Sequence, residues 1–122
     1  MPPAPAQSAS DAKREPRGAR VYSPAFFKDD EQFVQALRAG RADAQAELYR
    51  RHYRRVSAVL HRVMGRDQDL DDLTQEVFVR AVAGARGFRG GAESVEPWLV
   101  RIAVYVARGT IRKRLIWRRW FR

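Results

Sequence analysis

The chain has no cysteine, only two histidines, and no acidic residue after Glu96. Without cysteine there is no disulfide framework and no thiolate-held zinc or iron–sulfur centre. His52 and His61 stand apart from any ligand cluster, and neither metal nor cofactor is expected. No run approaches the roughly 20 apolar residues that a membrane-spanning helix needs. The start, with Pro2, Pro3 and Pro5, lacks the basic-then-apolar order of a secretory signal. Nor does any stretch alternate apolar and polar residues for long enough to propose a strand. These absences leave a soluble, cytoplasmic, all-α protein as the expectation.

Its 122 residues suit one domain, and 24 Lys and Arg against 14 Asp and Glu give a net charge of +10. A surplus of that size attracts polyanions, either nucleic acid or an anionic membrane surface. Four of the six prolines fall in the first 20 residues among Ala, Ser and charge. Such a segment buries too little apolar surface to offset its ordering entropy, so residues 1–27 are expected to form a disordered tail ahead of a helical domain over 28–122.

The punctuation then predicts about four helices in a compact bundle. Asp29, with Gln32 three residues on, can cap a first helix carrying Phe33, Val34 and Leu37 and ending at Gly40. Asp43 can open a longer second helix with Leu48, Tyr49, Tyr53, Val56, Leu60, Val63 and Met64 at helical spacing, stopped by Gly65. A third begins near Asp67 or Asp69, carries Leu70, Leu73, Val77, Phe78 and Ala81 on one side, and ends around Gly84 to Gly87. Ser94 can cap a fourth, in whose first turn Pro97 costs no hydrogen bond.

Charge is segregated by helix. Between Asp67 and Val79 stand five acids, Asp67, Asp69, Asp71, Asp72 and Glu76, with no base. From Val95 onward eight bases, Arg101, Arg108, Arg112, Lys113, Arg114, Arg118, Arg119 and Arg122, face the single acid Glu96. Steps of seven, four and seven keep Arg101, Arg108, Arg112 and Arg119 on one flank, with Trp98 and Tyr105 among them. Bases interleaved with aromatics suit an unstacked strand, because base–aromatic stacking is worth about 1–3 kcal/mol.

Plainer readings compete. The acids could be a solvated helix start favoured by the helix dipole. The D-x-D-x-D spacing of Asp67, Asp69 and Asp71 invites a calcium loop, but Asp72 stands where glycine is needed and Phe78 where a bidentate glutamate is needed. Catalysis finds no base, nucleophile or metal cluster beside the acids, so no enzyme is expected. Trp98, Ile102 and Tyr105 could simply pack. Ile116, Trp117, Trp120 and Phe121 among Arg118, Arg119 and Arg122 fit a basic helix lying in a membrane interface. A non-specific basic DNA-binding protein is a further alternative.

The run Asp69-Leu-Asp-Asp-Leu-Thr-Gln-Glu-Val-Phe-Val-Arg80 resembles the D-x-x-D-L-x-Q-E-V-F signature of region 2 of the bacterial sigma-70 family. Ala46 to Val56 is similar to the second helix of that region in the extracytoplasmic-function (ECF) group. Gly87-Phe-Arg-Gly and Pro97-Trp-Leu-Val-Arg-Ile-Ala103 resemble the same group's loop and W-L-x-R-I-A helix start.

The resemblance implies a transcription-initiation factor. Asp71, Asp72, Gln75, Glu76, Phe78 and Arg80 would dock on a coiled coil of the largest subunit of core RNA polymerase. Trp98, Arg101, Tyr105, Arg108, Arg112 and Lys113 would hold the non-template strand of the promoter −10 element. The loop from Arg86 to Glu96, with Phe88 and Arg89, would accept a flipped base. An anti-sigma factor covering the docking face is a further expectation from the family. Two departures stand out: Tyr105 replaces the Asn common in R-I-A-x-N, and no region 4 domain that reads the −35 element follows in this sequence.

Overall fold

The structure is a computed structural model that describes residues 27–121. The expected tail lies outside these residues, apart from its last member. Phe27 belongs to the fold: it is buried, with its ring edge-on to Phe33 at 5.7 Å.

Helix α1 spans Asp30–Arg38. Its start is capped as the sequence suggests, the Asp29 carboxylate accepting the Gln32 N–H at 2.9 Å. The Gln32 side chain in turn accepts the Lys28 N–H at 3.0 Å. At the other end Gly40 takes φ 79°, a left-handed conformation that glycine adopts without a Cβ penalty. The Arg41 and Gly40 N–H groups then reach back to the carbonyls of Ala36 and Leu37, both at 3.1 Å, closing a Schellman turn.

Helix α2 spans Ala42–Met64, ending at Gly65 with φ 73°. Asp43 does not cap it. The helix opens one residue earlier, and Asp43 sits in the first turn, where it pairs with Arg41 at 2.6 Å. The apolar face is narrower than the spacing suggests: Leu48, Val56 and Leu60 are fully buried, whereas Val63 is exposed.

Helix α3 spans Leu70–Gly84 and passes through one 3-10 turn, Ala85–Gly87, into the loop. A second such turn, Ala92–Ser94, leads into helix α4, Val95–Trp120. Pro97 lies in the first turn of α4, but the Ser94 side chain makes no capping bond.

The bundle is built on three long helices in mutual contact, with α1 lying across α2 and the loop. Val95, Leu99, Ala103, Val106 and Ala107 form the buried stripe of α4, against Val56, Leu60, Val77 and Ala81 in the same core. No strand forms among the described residues.

Two titratable side chains sit inside this frame. Glu47 is fully buried and is held by hydrogen bonds from Arg50 and Arg51. Burial raises its pKa, but the two guanidinium groups outweigh that and keep it below the ordinary carboxylate value. His52, largely buried, has Nδ1 3.7 Å from the Glu96 carboxylate, too far for a hydrogen bond. Its pKa is lowered, first by burial, with Arg51 adding to the effect and Glu96 opposing it.

Both shifts act in the same direction. Below the ordinary histidine value of 6.5 the unfolded chain takes up a proton that folded His52 refuses, so stability falls with acid. Below 4.5 Glu47 adds a further loss. Urea unfolding is expected to show lower stability at about pH 5.5 than at about pH 7, with His52→Gln removing most of the difference.

Candidate functional site

Helical periodicity sends alternate flanks of α3 to the core and to solvent. Leu73, Thr74, Val77, Phe78 and Ala81 face inward, and the Thr74 hydroxyl is satisfied by donating to the Leu70 carbonyl at 2.8 Å. Asp71, Asp72, Gln75 and Arg80 are exposed and Glu76 is half-buried.

Phe78 requires a correction. Expected among the docking residues, it is a core residue, its ring 4.8 Å from that of Tyr49. It acts on the outer face only from behind, through Tyr49, whose hydroxyl accepts a long bond from Gln75 at 3.4 Å. Sequence reasoning also missed Val79, which is 66% exposed beside Asp72, Gln75 and Glu76. Its signal was an apolar residue off the buried stripe. An apolar centre within a charged rim is the make-up of a protein-binding patch.

The five acids are not equivalent. Arg114 of α4 clasps Asp67 at 2.6 and 3.2 Å and Asp69 at 2.8 Å. The Arg114 bonds, with help from the Asp69 N–H, hold the Asp67 carboxyl below its usual range. That pair ties the distal half of α4 to the start of α3. Asp71 and Asp72 have no ion-pair partner among the described residues. The acidity without an internal ion pair is therefore concentrated at Asp71 and Asp72, while Glu76 beside them is paired with Arg80 of its own helix.

On α4 the residues opposite the buried stripe are exposed: Arg101, Tyr105, Arg108, Arg112 and Lys113. They line an open groove of about 710 Å³ whose other wall is Glu76 and Arg80 of α3. Arg80 bridges the two helices. Its guanidinium pairs with Glu76 at 2.9 Å and lies 5.4 Å from the centre of the Tyr105 ring. Most of the expected strand-side residues and two of the expected docking residues thus share one groove.

A family model described as Sigma-70 region 2 matches residues 48–115, which include both faces of that groove and the loop. The chain belongs to the sigma-70 family. Over 68 residues it is 35% identical to the ECF RNA polymerase sigma factor SigE of Mycolicibacterium smegmatis. The match covers 56% of this chain and 26% of that relative, so the chain spans well under half of the relative's length. No solved structure matches it.

Within this region 2 the loop before α4 is braced. Trp98 was expected to face a strand and Phe88 to lie in the loop that accepts a flipped base, but Phe88 is buried and its ring packs 4.7 Å from that of Trp98, which is itself half-buried. Arg89 is exposed at the loop's rim. The brace comes from Arg38 of α1, another residue the sequence did not single out. It donates to the carbonyls of Phe88 at 2.8 Å and Gly90 at 2.7 Å, with its guanidinium 5.8 Å from the centre of the Phe88 ring. Gly90 is required here, because a Cβ would lie 2.5 Å from that of Ser94.

Two hollows flank the braced loop. One, of about 440 Å³, is bordered by Gln35, Arg38, Arg89 and Glu93. The other, of about 490 Å³, is bordered by Arg51, His52, Ala92 and Glu96.

Arg38→Met keeps the aliphatic stem and removes both bonds. Amide hydrogen exchange at residues 88–94 is expected to accelerate by at least tenfold, with a stability loss of about 1.5–3 kcal/mol from bonds to a charged donor.

Proposed function

We propose that this region 2 docks on core RNA polymerase through α3 and holds the non-template strand of the promoter −10 element on α4. The observation that carries this reading is the placement of opposite charges on two adjoining exposed faces of one packed unit. Asp71, Asp72, Gln75, Glu76 and Val79 offer a basic protein partner an apolar centre with an acidic rim. Long-range attraction brings such partners together quickly and fixes their register.

On the other face Arg101, Arg108, Arg112 and Lys113 supply phosphate contacts, and exposed Tyr105 supplies a ring on which a base stacks. Tyr105 offers ring area and one hydroxyl in place of the compact amide common in the family. Base choice at that point then rests on stacking and a single hydrogen bond. An extruded base would find a braced rim at the loop, since Arg38 fixes the carbonyls of Phe88 and Gly90. Part of the cost of opening the duplex is recovered by capturing the base.

In this role no bond is made or broken, and the work is done in the cytoplasm beside the chromosome. The same acidic face is where an anti-sigma factor would compete with polymerase.

The test is capture of core RNA polymerase by the 122-residue chain beside an Asp72→Lys/Gln75→Ala variant, both positions lying outside the α3–α4 groove. The parent is expected to retain polymerase and the variant to lose most of it, because reversing a charge at a docking rim puts like charges together. Equal capture by both would remove α3 from the interface.

A further inference from the structure

We propose that Arg80 is a strand-binding cation held in reserve by Glu76, so that occupation of the acidic face of α3 and capture of a strand on α4 reinforce each other. The proposal rests on the reading of α4 as the strand-binding helix and goes beyond it. It moves Arg80 from the polymerase-facing set, where the motif put it, to the nucleic-acid set.

The geometry carries the reassignment. Arg80 leaves α3 but reaches across the groove toward Tyr105, whose ring centre lies 5.4 Å from its guanidinium. The remaining cations of that groove are Arg101, Arg108, Arg112 and Lys113, all from α4. Glu76 is the one acid in the lining. A single oxygen of its carboxylate, Oε2, accepts from Nε of Arg80 at 2.9 Å and lies 2.9 Å from Nη2.

A phosphate entering the groove therefore meets one negative charge and finds one of five guanidinium or ammonium groups already committed. Both partners of this pair are about half exposed, at 48% and 42%. An exposed i,i+4 pair is weak and exchanges partners readily. A cation presented to α3 by a docked protein would compete for the Glu76 carboxylate. Arg80 would then turn toward phosphate while staying over the tyrosine ring, whose face attracts a guanidinium. Linkage makes the effect reciprocal: a strand that draws Arg80 away leaves Glu76 free for the docking cation.

The chain alone suffices for the test, because Glu76→Gln imitates neutralisation by a docked cation. Binding of a fluorescently labelled single-stranded deoxyoligonucleotide is measured by anisotropy across a salt series. The proteins are the parent, Glu76→Gln, Arg80→Met and the double variant. Circular dichroism checks that each retains its helix content.

Glu76→Gln is expected to tighten binding about fivefold, a typical size for coupling between sites. It is also expected to steepen the salt dependence by about 0.7, as one more phosphate of a single strand is neutralised. In the Arg80→Met background the same substitution is expected to yield at most a small gain and no change of slope. An equal gain in both backgrounds would mean that Glu76 acts by repulsion alone and would overturn the proposal, as would no gain in either. If the parent binds no strand, this inference falls together with the strand-binding role of α4. If strands bind without the coupling while polymerase capture persists, only this inference falls.

Discussion

The seating of α4 governs everything else in this molecule. Its inward stripe includes Ala103 and Ala107, both fully buried, and small side chains let helix axes approach closely. Leu99 and Val106 fill the space between the neighbouring helices, and Arg114 locks the distal part through Asp67 and Asp69. One face of α4 is thereby consumed by the core. The opposite flank, with Arg101, Tyr105, Arg108 and Arg112, is turned outward along one wall of the groove. A helix free to rotate could not hold a row of cations in register with a phosphate backbone, nor could it keep Tyr105 beside Arg80.

The acidic face depends on the same packing. Phe78 and Tyr49 support α3 from within, so Asp72, Gln75 and Val79 sit on a firm surface. Two faces of opposite charge lie side by side because α3 and α4 share one core. Arg80, paired with Glu76 and lying over Tyr105, is where they meet.

Much of this was legible in the residues. Gly40 and Gly65 stop helices at positive φ, Asp29 caps α1, and the apolar spacing identified the core sides of α2 and α3. Periodicity gives the side of a helix that is buried, but not what it is buried against. Phe78, which its spacing put on the apolar side of α3, was carried into the docking set by the motif alone, and Phe88 into the base-accepting loop; both are packing residues. The braces, Arg38 on the loop and Arg114 on the acids, join residues some fifty positions apart, which no local pattern discloses. Asp43 and Ser94 have the chemistry of caps but lack the geometry, since neighbouring turns had already fixed those helix starts. The reading of a membrane-interface helix rests on Trp117, Trp120 and Phe121, which are exposed past the Arg114 clasp. It assigns no role to the exposed acids of α3, Asp71 and Asp72.

The most direct measurement is site-specific photocrosslinking in a mixture of the chain, core RNA polymerase and a pre-melted promoter. A photoreactive phenylalanine analogue would be placed at Gln75 in one protein and at Tyr105 in another. The probe at Gln75 should label the largest polymerase subunit, and the probe at Tyr105 the non-template strand of the −10 element. Labelling of DNA by both probes whether or not polymerase is present would contradict the account and leave a basic helical protein that coats nucleic acid without a docking face.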